Sequence, residues 1–181
     1  MSIRSGHGVG KTTFESWLIL WFLLTRQNCK VPVAANSQDQ LRDTIWPEIA
    51  KWHRQLPDAL KAMIDVQAER IVVVHDPEGA FAVRRTASKD NPEALQGFHA
   101  EHLLFLIDEA SGIDDIVFEV GMGALSTPGA KVVMAGNPTR TSGFFYDTHH
   151  LLRASLAHDA CELPRRTARS GAHRRHQGQV W

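Results

Sequence analysis

The 181-residue chain predicts an α/β domain built on a mainly parallel sheet flanked by helices. Short runs rich in β-branched residues alternate with helix-like stretches over most of the length, which is typical of this fold class. A glycine-rich segment, 5–12, lies between the end of one such run and the start of a helix-like stretch. Two later apolar runs end in polar residues, at Asp108 and at Asn137, as parallel strands do where their sheet binds a ligand.

Six strands are predicted from short apolar runs that are bounded by turn residues. Segment 76–79 contains a proline and a glycine and is typical of a turn, so the runs on its two sides are expected to form a hairpin. The predicted strands are 2–4, 31–35, 70–75, 81–86, 103–107 and 131–135.

Three helices are predicted between these strands, at 12–25, 38–54 and 114–125. The first has the length and the apolar content of a buried helix. The second has apolar side chains at steps of three and four residues, which places them on one helix face, and a proline at position 57 ends it. These side chains are Leu41, Ile45, Ile49 and Trp52.

Charge is distributed unevenly along the chain, although basic and acidic residues number 20 each. From residue 153 onward the chain has six arginines and only two acidic residues, Asp159 and Glu162. This segment therefore has a net charge of +4, and the first 152 residues have a net charge of −4. The segment has no apolar period, so we predict a domain at 1–152 and a basic, disordered tail at 153–181. The tail either binds nucleic-acid phosphates or is a truncated or frame-shifted end, and its lack of interleaved aromatic residues favours the second interpretation.

Composition excludes several classes of protein. With 43% hydrophobic residues the chain is not expected to be disordered or fibrous. Its longest apolar stretch, 17–24, is far shorter than the roughly 20 residues of a membrane helix, so we expect no membrane partner. The two cysteines, Cys29 and Cys161, lack the spacing of a disulfide framework or a zinc site, which favours a reducing cytosol.

The glycine-rich segment has the pattern and the position of a P-loop, with serine in place of the first glycine. Its backbone N–H groups would surround a β-phosphate at the positive end of the following helix. Lys11 would reach the β- and γ-phosphates, and the hydroxyl of Thr12 would bind Mg²⁺. The alternative is a glycine-rich turn that binds nothing. The candidate nucleotide-binding residues are Ser5, Gly6, His7, Gly8, Val9, Gly10, Lys11, Thr12 and Thr13.

Acidic and amide side chains follow two of the predicted strands. Asp108 is suited to binding Mg²⁺ through water, and Glu109 to orienting and polarising an attacking water molecule. The alternative is an acidic strand-to-helix junction in which Asp108 or Ser111 only caps the next helical segment. Asn137 would act near the γ-phosphate as a sensor, although Gly-Asn and Asn-Pro are also ordinary turn formers.

These motifs resemble the ATPase domain of bacteriophage terminase large subunits, the motors that package DNA into capsids. The resemblance extends from about residue 2 to about residue 146. It rests on SGHGVGKT at 5–12, IDEAS at 107–111 and GNPTR at 136–140, with similar segments at 33–37 and 96–99. The P-loop and the acidic strand are shared with many additional-strand P-loop ATPases, including helicases, whereas the GHGVGK and GNPTR segments are particular to terminases.

The resemblance implies ATP hydrolysis that is coupled to translocation of double-stranded DNA by a ring of subunits, in the host bacterial cytoplasm. It implies ATP and Mg²⁺ as cofactors, and a portal protein and a small terminase subunit as partners. By position, Lys11 and Thr12 match the Walker A pair, Asp108 and Glu109 the Walker B pair, and Asn137 the coupling segment. An arginine is expected near the γ-phosphate. Arg4 and Arg140 are the main candidates, and spacing does not separate them from Arg84 and Arg85.

Two departures from the family bear on function. The chain starts four residues before Ser5, so we expect a domain that is clipped at its first strand and lacks contacts to adenine. Beyond residue 150 only Asp159 and Glu162 are acidic, so the carboxylate cluster of a terminase nuclease domain is not expected. The alternatives to a packaging motor are a catalytically silent fragment that binds nucleotide or DNA weakly, and a helicase-like ATPase.

Overall fold

The protein is described here from a computed structural model, which describes residues 1–124, 129–153 and 158–161. Within these ranges the chain forms one eight-stranded sheet. The strands are β1 Ser2–Ser5, β2 Cys29–Ala35, β3 Ile64–Val66, β4 Arg70–Val73, β5 Phe81–Thr86, β6 His102–Ile107, β7 Lys131–Gly136 and β8 His158–Cys161.

The strand order across the sheet is β3-β4-β5-β2-β6-β7-β1-β8. Every neighbouring pair from β5 to β8 is parallel, whereas β3 and β4 add two antiparallel strands at one edge. This confirms the predicted mainly parallel sheet and the hairpin of β4 and β5. Strand β7 lies between β1 and β6, so an additional strand separates the strand before the glycine-rich loop from the strand that ends at Asp108.

Helical segments connect these strands, and three of the helices coincide with predicted ones. Two 3₁₀ turns, Pro92–Leu95 and Ala110–Gly112, lie before and after β6. None of the helices in the described part of the chain is long and apolar enough to cross a membrane. The helices are α1 Lys11–Thr25, α2 Gln38–Gln40, α3 Trp46–Arg54, α4 Asp58–Lys61, α5 Asp115–Ala124 and α6 Phe144–Thr148.

A π-helical turn, Leu41–Ile45, joins α2 to α3 inside the predicted helix 38–54. Pro47, the second residue after this turn, has no N–H to donate to the carbonyl of Asp43, with which its ring would also clash in a regular helix. The turn widens instead, and the N–H of Trp46 donates to the carbonyl of Leu41. The segment is therefore helical throughout, as predicted, but it is not one regular α-helix.

The two faces of β6 show how the sheet is covered on both sides. Leu104 and Leu106 belong to a buried cluster that includes Ile19 of α1 and Ile49 of α3. The alternate side chains of β6, including Phe105, belong to a second buried cluster with residues of α5 and α6. Because both faces are buried, the residues of β6 after His102 are all apolar and do not alternate with polar ones, which is why the strand was predictable.

Several elements differ from the prediction. The three short elements β3, α4 and α6 were not predicted, because runs of three to five residues carry little periodicity. His158–Cys161 lie in the segment predicted as a disordered tail, yet they form β8 and pair with β1. The other parts of the predicted tail, 154–157 and 162–181, lie outside the described residues.

Candidate active site

The carboxyl ends of β1, β6 and β7 lie side by side, and the segments that follow them line a cavity of about 480 Å³. Gln40, Thr44 and Glu48, from the segment after β2, also line it. The predicted site residues that the cavity brings together are His7, Gly8, Gly10, Lys11, Thr12, Thr13, Asp108, Glu109 and Asn137. Ser5, at the end of β1, and Gly6 and Val9, in the loop that follows it, do not line the cavity.

The loop between β1 and α1 needs glycine at two positions. Gly8 has φ +73° and Gly10 has φ +89°, a conformation that side chains with a Cβ rarely adopt. The carbonyl of Gly10 accepts the N–H of Phe14 at 3.0 Å, which starts the 15-residue helix α1. The N–H groups of the first helical turn have no partner inside the helix, so this end of α1 favours an anion in the cavity.

Lys11 is linked to both loops that border the cavity. Its Nζ donates to the carbonyl of Gly6 at 2.9 Å and to Oδ1 of Asn137 at 2.7 Å. The Asn137 Nδ2 atom lies 3.1 Å from both ring nitrogens of His7. The loop after β7 is therefore joined to the loop after β1 through polar atoms that could equally contact a phosphate.

Asp108 is buried at the end of β6, with both carboxylate oxygens hydrogen-bonded. Oδ1 accepts the backbone N–H of Glu109 at 2.8 Å, and Oδ2 accepts Nε2 of Gln40 at 3.1 Å. Burial raises the pKa of Asp108, and the hydrogen bond from the Glu109 amide partly offsets this shift. Glu109 is exposed, with φ 48° and ψ 42°, so its carboxylate has access to the cavity.

Glu15 is a buried carboxyl group on α1 that no predicted motif contained and that does not line the cavity. Its side chain is 0% exposed, and neither carboxylate oxygen has a hydrogen-bond partner among the described residues. Burial, followed by the carboxylate of Asp108, raises the pKa of Glu15 well above its usual value. One signal could have revealed it: Glu15 is the sole charged residue in 12–25, and it shares the buried face of α1 with Ile19 and Phe22.

Gln40 and Glu48 are two further cavity residues to which the sequence assigned no role. Ser37 accepts the N–H of Gln40 at 3.2 Å and so starts α2, which brings the Gln40 amide to Asp108. Oε1 of Glu48 accepts one hydrogen bond from the Thr13 hydroxyl at 2.8 Å and another from Trp52 Nε1 at 2.7 Å. Hydrogen bonds from Thr13, Lys51 and Trp52 lower the pKa of Glu48. The contacts of Gln40 with Asp108 and of Glu48 with Thr13 join separate segments, so only the fold shows them.

None of the candidate arginines lines the cavity in the described part of the chain. Arg140 is exposed and borders a separate small depression with Ser111. Arg84 is buried, forms an ion pair with Glu69 and lies 5.4 Å from the ring centroid of Trp46. Which arginine acts on a phosphate therefore stays a prediction.

Glu15→Gln is expected to make the stability of the free protein less dependent on pH. A carboxyl group whose pKa is raised by folding contributes stability in full below its ordinary value of 4.5, and this contribution is lost as the pH rises through the raised value. Urea unfolding of both proteins between about pH 5 and about pH 8 measures the difference. We expect the wild type to lose stability relative to Glu15→Gln as the pH rises, and parallel curves would contradict this.

The chain is 35% identical over 156 residues to the probable terminase large subunit of Enterobacteria phage P7. The match covers 83% of this chain and 31% of that protein, so the chain spans about a third of the length of this relative. No protein-family model matches the chain.

Solved structures of similar fold include large terminases of two phages. The large terminase of a thermophilic bacteriophage, in complex with ADP, has a TM-score of 0.69 at 14% identity, covering 88% of this chain and 39% of that one. The ATPase domain of the Thermus phage P74-26 large terminase has a TM-score of 0.62 at 21% identity, covering 81% and 62%. These matches confirm the predicted P-loop fold of the additional-strand class.

Proposed function

Because the chain belongs to the phage terminase large-subunit family and shares the fold of its ATPase domains, we propose that it binds and hydrolyses ATP as the motor domain of a DNA-packaging terminase. One observation carries the proposal. The two loops and the acidic strand end meet in one cavity, where Lys11, Thr12, Asp108, Glu109 and Asn137 face the same space. Hydrolysis requires all of these groups at one edge of the sheet.

The cavity fits a nucleoside triphosphate. The left-handed glycines turn the backbone around a phosphate, and the N–H groups at the start of α1 offer hydrogen bonds to its oxygens. The ammonium group of Lys11 would exchange the Gly6 carbonyl and the Asn137 amide oxygen for phosphate oxygens. The ADP complex of the thermophilic bacteriophage terminase shows that a protein of the same fold binds a nucleotide.

The residues also fit Mg²⁺ that arrives with the nucleotide. No group of three or more His, Cys, Asp or Glu in the described ranges is arranged to hold a metal alone. Mg²⁺ at phosphate sites is bound by one or two protein groups together with phosphates and water, so such a cluster is not needed. The hydroxyl of Thr12 and the carboxylate of Asp108, acting through water, are the suitable groups, and Mg²⁺ bound there would draw charge from the phosphates.

The chemistry is attack of water on the γ-phosphate. Glu109 accepts a hydrogen bond from the attacking water and takes up its proton, since its exposed carboxylate borders the cavity. Lys11 balances the negative charge on the phosphate oxygens. Asn137 senses the γ-phosphate, because its amide already contacts Lys11 and His7 and would be released when a phosphate replaces it.

Coupling to double-stranded DNA, assembly into a ring, and contacts with a portal protein and a small terminase subunit follow from the family and belong to the proposal. So does a location in the host bacterial cytoplasm. A helicase of the same fold would separate strands, whereas a packaging motor moves along duplex DNA without opening it. A strand-separation assay on the purified protein therefore distinguishes these two motors, and separation dependent on ATP would contradict the packaging assignment.

Lys11→Ala is expected to lower ATP turnover by about 100- to 1,000-fold, because it removes a positive charge from the transferring phosphate. Phosphate release by the purified protein in the presence of MgCl₂ measures this. Lys89→Ala removes an exposed lysine that does not line the cavity, and its turnover should equal that of the wild type. Binding of ATP without turnover by the wild type would instead identify a catalytically silent fragment.

A further inference from the structure

Glu15 is a buried carboxyl group to which the hydrolysis mechanism proposed above assigns no role. Its fully buried carboxylate oxygens have no hydrogen-bond partner in the part of the chain that the structure describes, which is unfavourable, so a leucine would suit the buried face of α1 better. A carboxyl group at this position is expected only if it gains a partner in another state of the protein. The surroundings of Glu15 indicate which partner that is.

The charged groups that act on Glu15 all belong to the candidate active site. Asp108 and Glu109 act on it with negative charge, and Lys11 acts with positive charge. The ammonium group of Lys11 already donates to Gly6 and to Asn137. Burial opposes the charged form of Glu15, and a further negative charge beside Asp108 and Glu109, at a cavity that would also receive a polyphosphate, needs more positive charge than Lys11 supplies.

The helix geometry directs Glu15 towards the predicted metal-binding residue. Residues three and four apart are neighbours on a helix surface, and helical side chains lean towards the N-terminus of their helix. Glu15 follows Thr12 by three residues and Lys11 by four, so the helix geometry directs its carboxyl group towards the first turn of α1, whose residues Lys11 and Thr12 line the cavity.

We propose that Glu15 is a positioning residue for the divalent cation of the nucleotide site. Its carboxylate accepts hydrogen bonds from water molecules bound to the cation, behind Asp108. The orphaned oxygens thereby gain partners, and the two positive charges of the cation offset the excess negative charge. This inference rests on the proposed function, because it requires nucleotide and Mg²⁺ in the cavity.

The test measures how Mg²⁺ strengthens the binding of ADP to the full 181-residue chain. Isothermal titration calorimetry gives the ADP affinity in EDTA and at increasing MgCl₂, for the wild type, Glu15→Gln and Glu15→Leu. We expect both variants to need about tenfold more Mg²⁺ for half of the effect, as is typical when a group behind a metal ligand is removed. Their ADP affinity in EDTA should match that of the wild type.

Glu119→Gln is the control, because it removes one carboxylate from an exposed position on α5 that does not line the cavity. Its Mg²⁺ requirement should stay within about twofold of the wild type, well below the shift expected at Glu15. An equal shift in Glu119→Gln would mean that any loss of one negative charge has the same effect, and it would overturn the inference.

Unchanged Mg²⁺ requirements in both Glu15 variants would also overturn the inference, while leaving the proposed function intact. Absence of ADP binding by the wild type, with and without Mg²⁺, would instead reject the proposed function. If Glu15→Leu fails to fold, as judged by circular dichroism, Glu15→Gln decides alone because it keeps the size of the side chain.

Discussion

Glu109→Gln is expected to lower ATP turnover by about 100- to 10,000-fold, which is the usual contribution of a general base. Glutamine has nearly the same shape as glutamate but cannot take up a proton from the attacking water. Glu109 is exposed, and the ammonium group of Lys11 donates to Gly6 and Asn137 and not to Glu109. Because the substitution leaves these contacts of Lys11 in place, nucleotide binding should be retained. The expected result is an ATP-binding protein that turns over slowly.

Phosphate release and ATP binding, measured on the same preparation, check this prediction together. Glu119→Gln, an exposed position on α5 outside the cavity, controls for the loss of one negative charge and should behave as the wild type. Turnover of Glu109→Gln within about twofold of the wild type would remove Glu109 from the mechanism. Loss of binding as well would show that Glu109 supports the nucleotide and not the water.

Phe105→Ala is expected to lower the free energy of unfolding by about 3–5 kcal/mol. Phe105 is 1% exposed in the central strand β6. Its ring packs edge to face against that of Phe98, with the two ring centroids 6.4 Å apart. Alanine loses this contact and leaves a cavity that rigid strands on either side cannot fill. The loss is large against the roughly 5–15 kcal/mol that stabilise an ordinary domain.

Urea unfolding followed by tryptophan fluorescence measures this free energy. Phe14→Ala is a matched control, since Phe14 is 38% exposed on α1 and its truncation should cost about 1 kcal/mol or less. A cost below about 1 kcal/mol for Phe105→Ala would mean that β6 is not the centre of the core. Asp108 and Glu109 would then lack the rigid support that the site requires.

The parts of the molecule that were predictable carry their signal within a few neighbouring residues. Strand β6 is an apolar run after its first residue and is followed by two carboxylates, and the loop before α1 has a glycine pattern that a lysine follows. These local patterns predict the strand and the loop. The rule that parallel sheets bind ligands at the carboxyl ends of their strands then predicts that the two lie at the same site. The motif residues Lys11, Asp108 and Asn137 do line one cavity.

The parts that were not predictable depend on contacts between distant segments. The hydrogen bond of Gln40 to Asp108 joins residues 68 apart, and nothing local marks Gln40 for it. That Glu15 has no hydrogen-bond partner among the residues described is a result of all the segments that pack around it. Strand β8 adds to the edge of the sheet through pairing with β1, and a four-residue strand in a polar segment has no period of its own.

The left-handed backbone at Glu109 lowers the stability of the fold at the same position that supplies the carboxylate for the proposed chemistry. A residue with a Cβ is strained there, by roughly 1–2 kcal/mol in the left-handed region, whereas glycine adopts φ 48° without this cost. Selection for stability alone would therefore favour glycine at the end of β6. A glutamate at this position lowers the stability of the fold but holds a carboxylate at the mouth of the cavity. Engineering for thermal tolerance should therefore leave this residue unchanged.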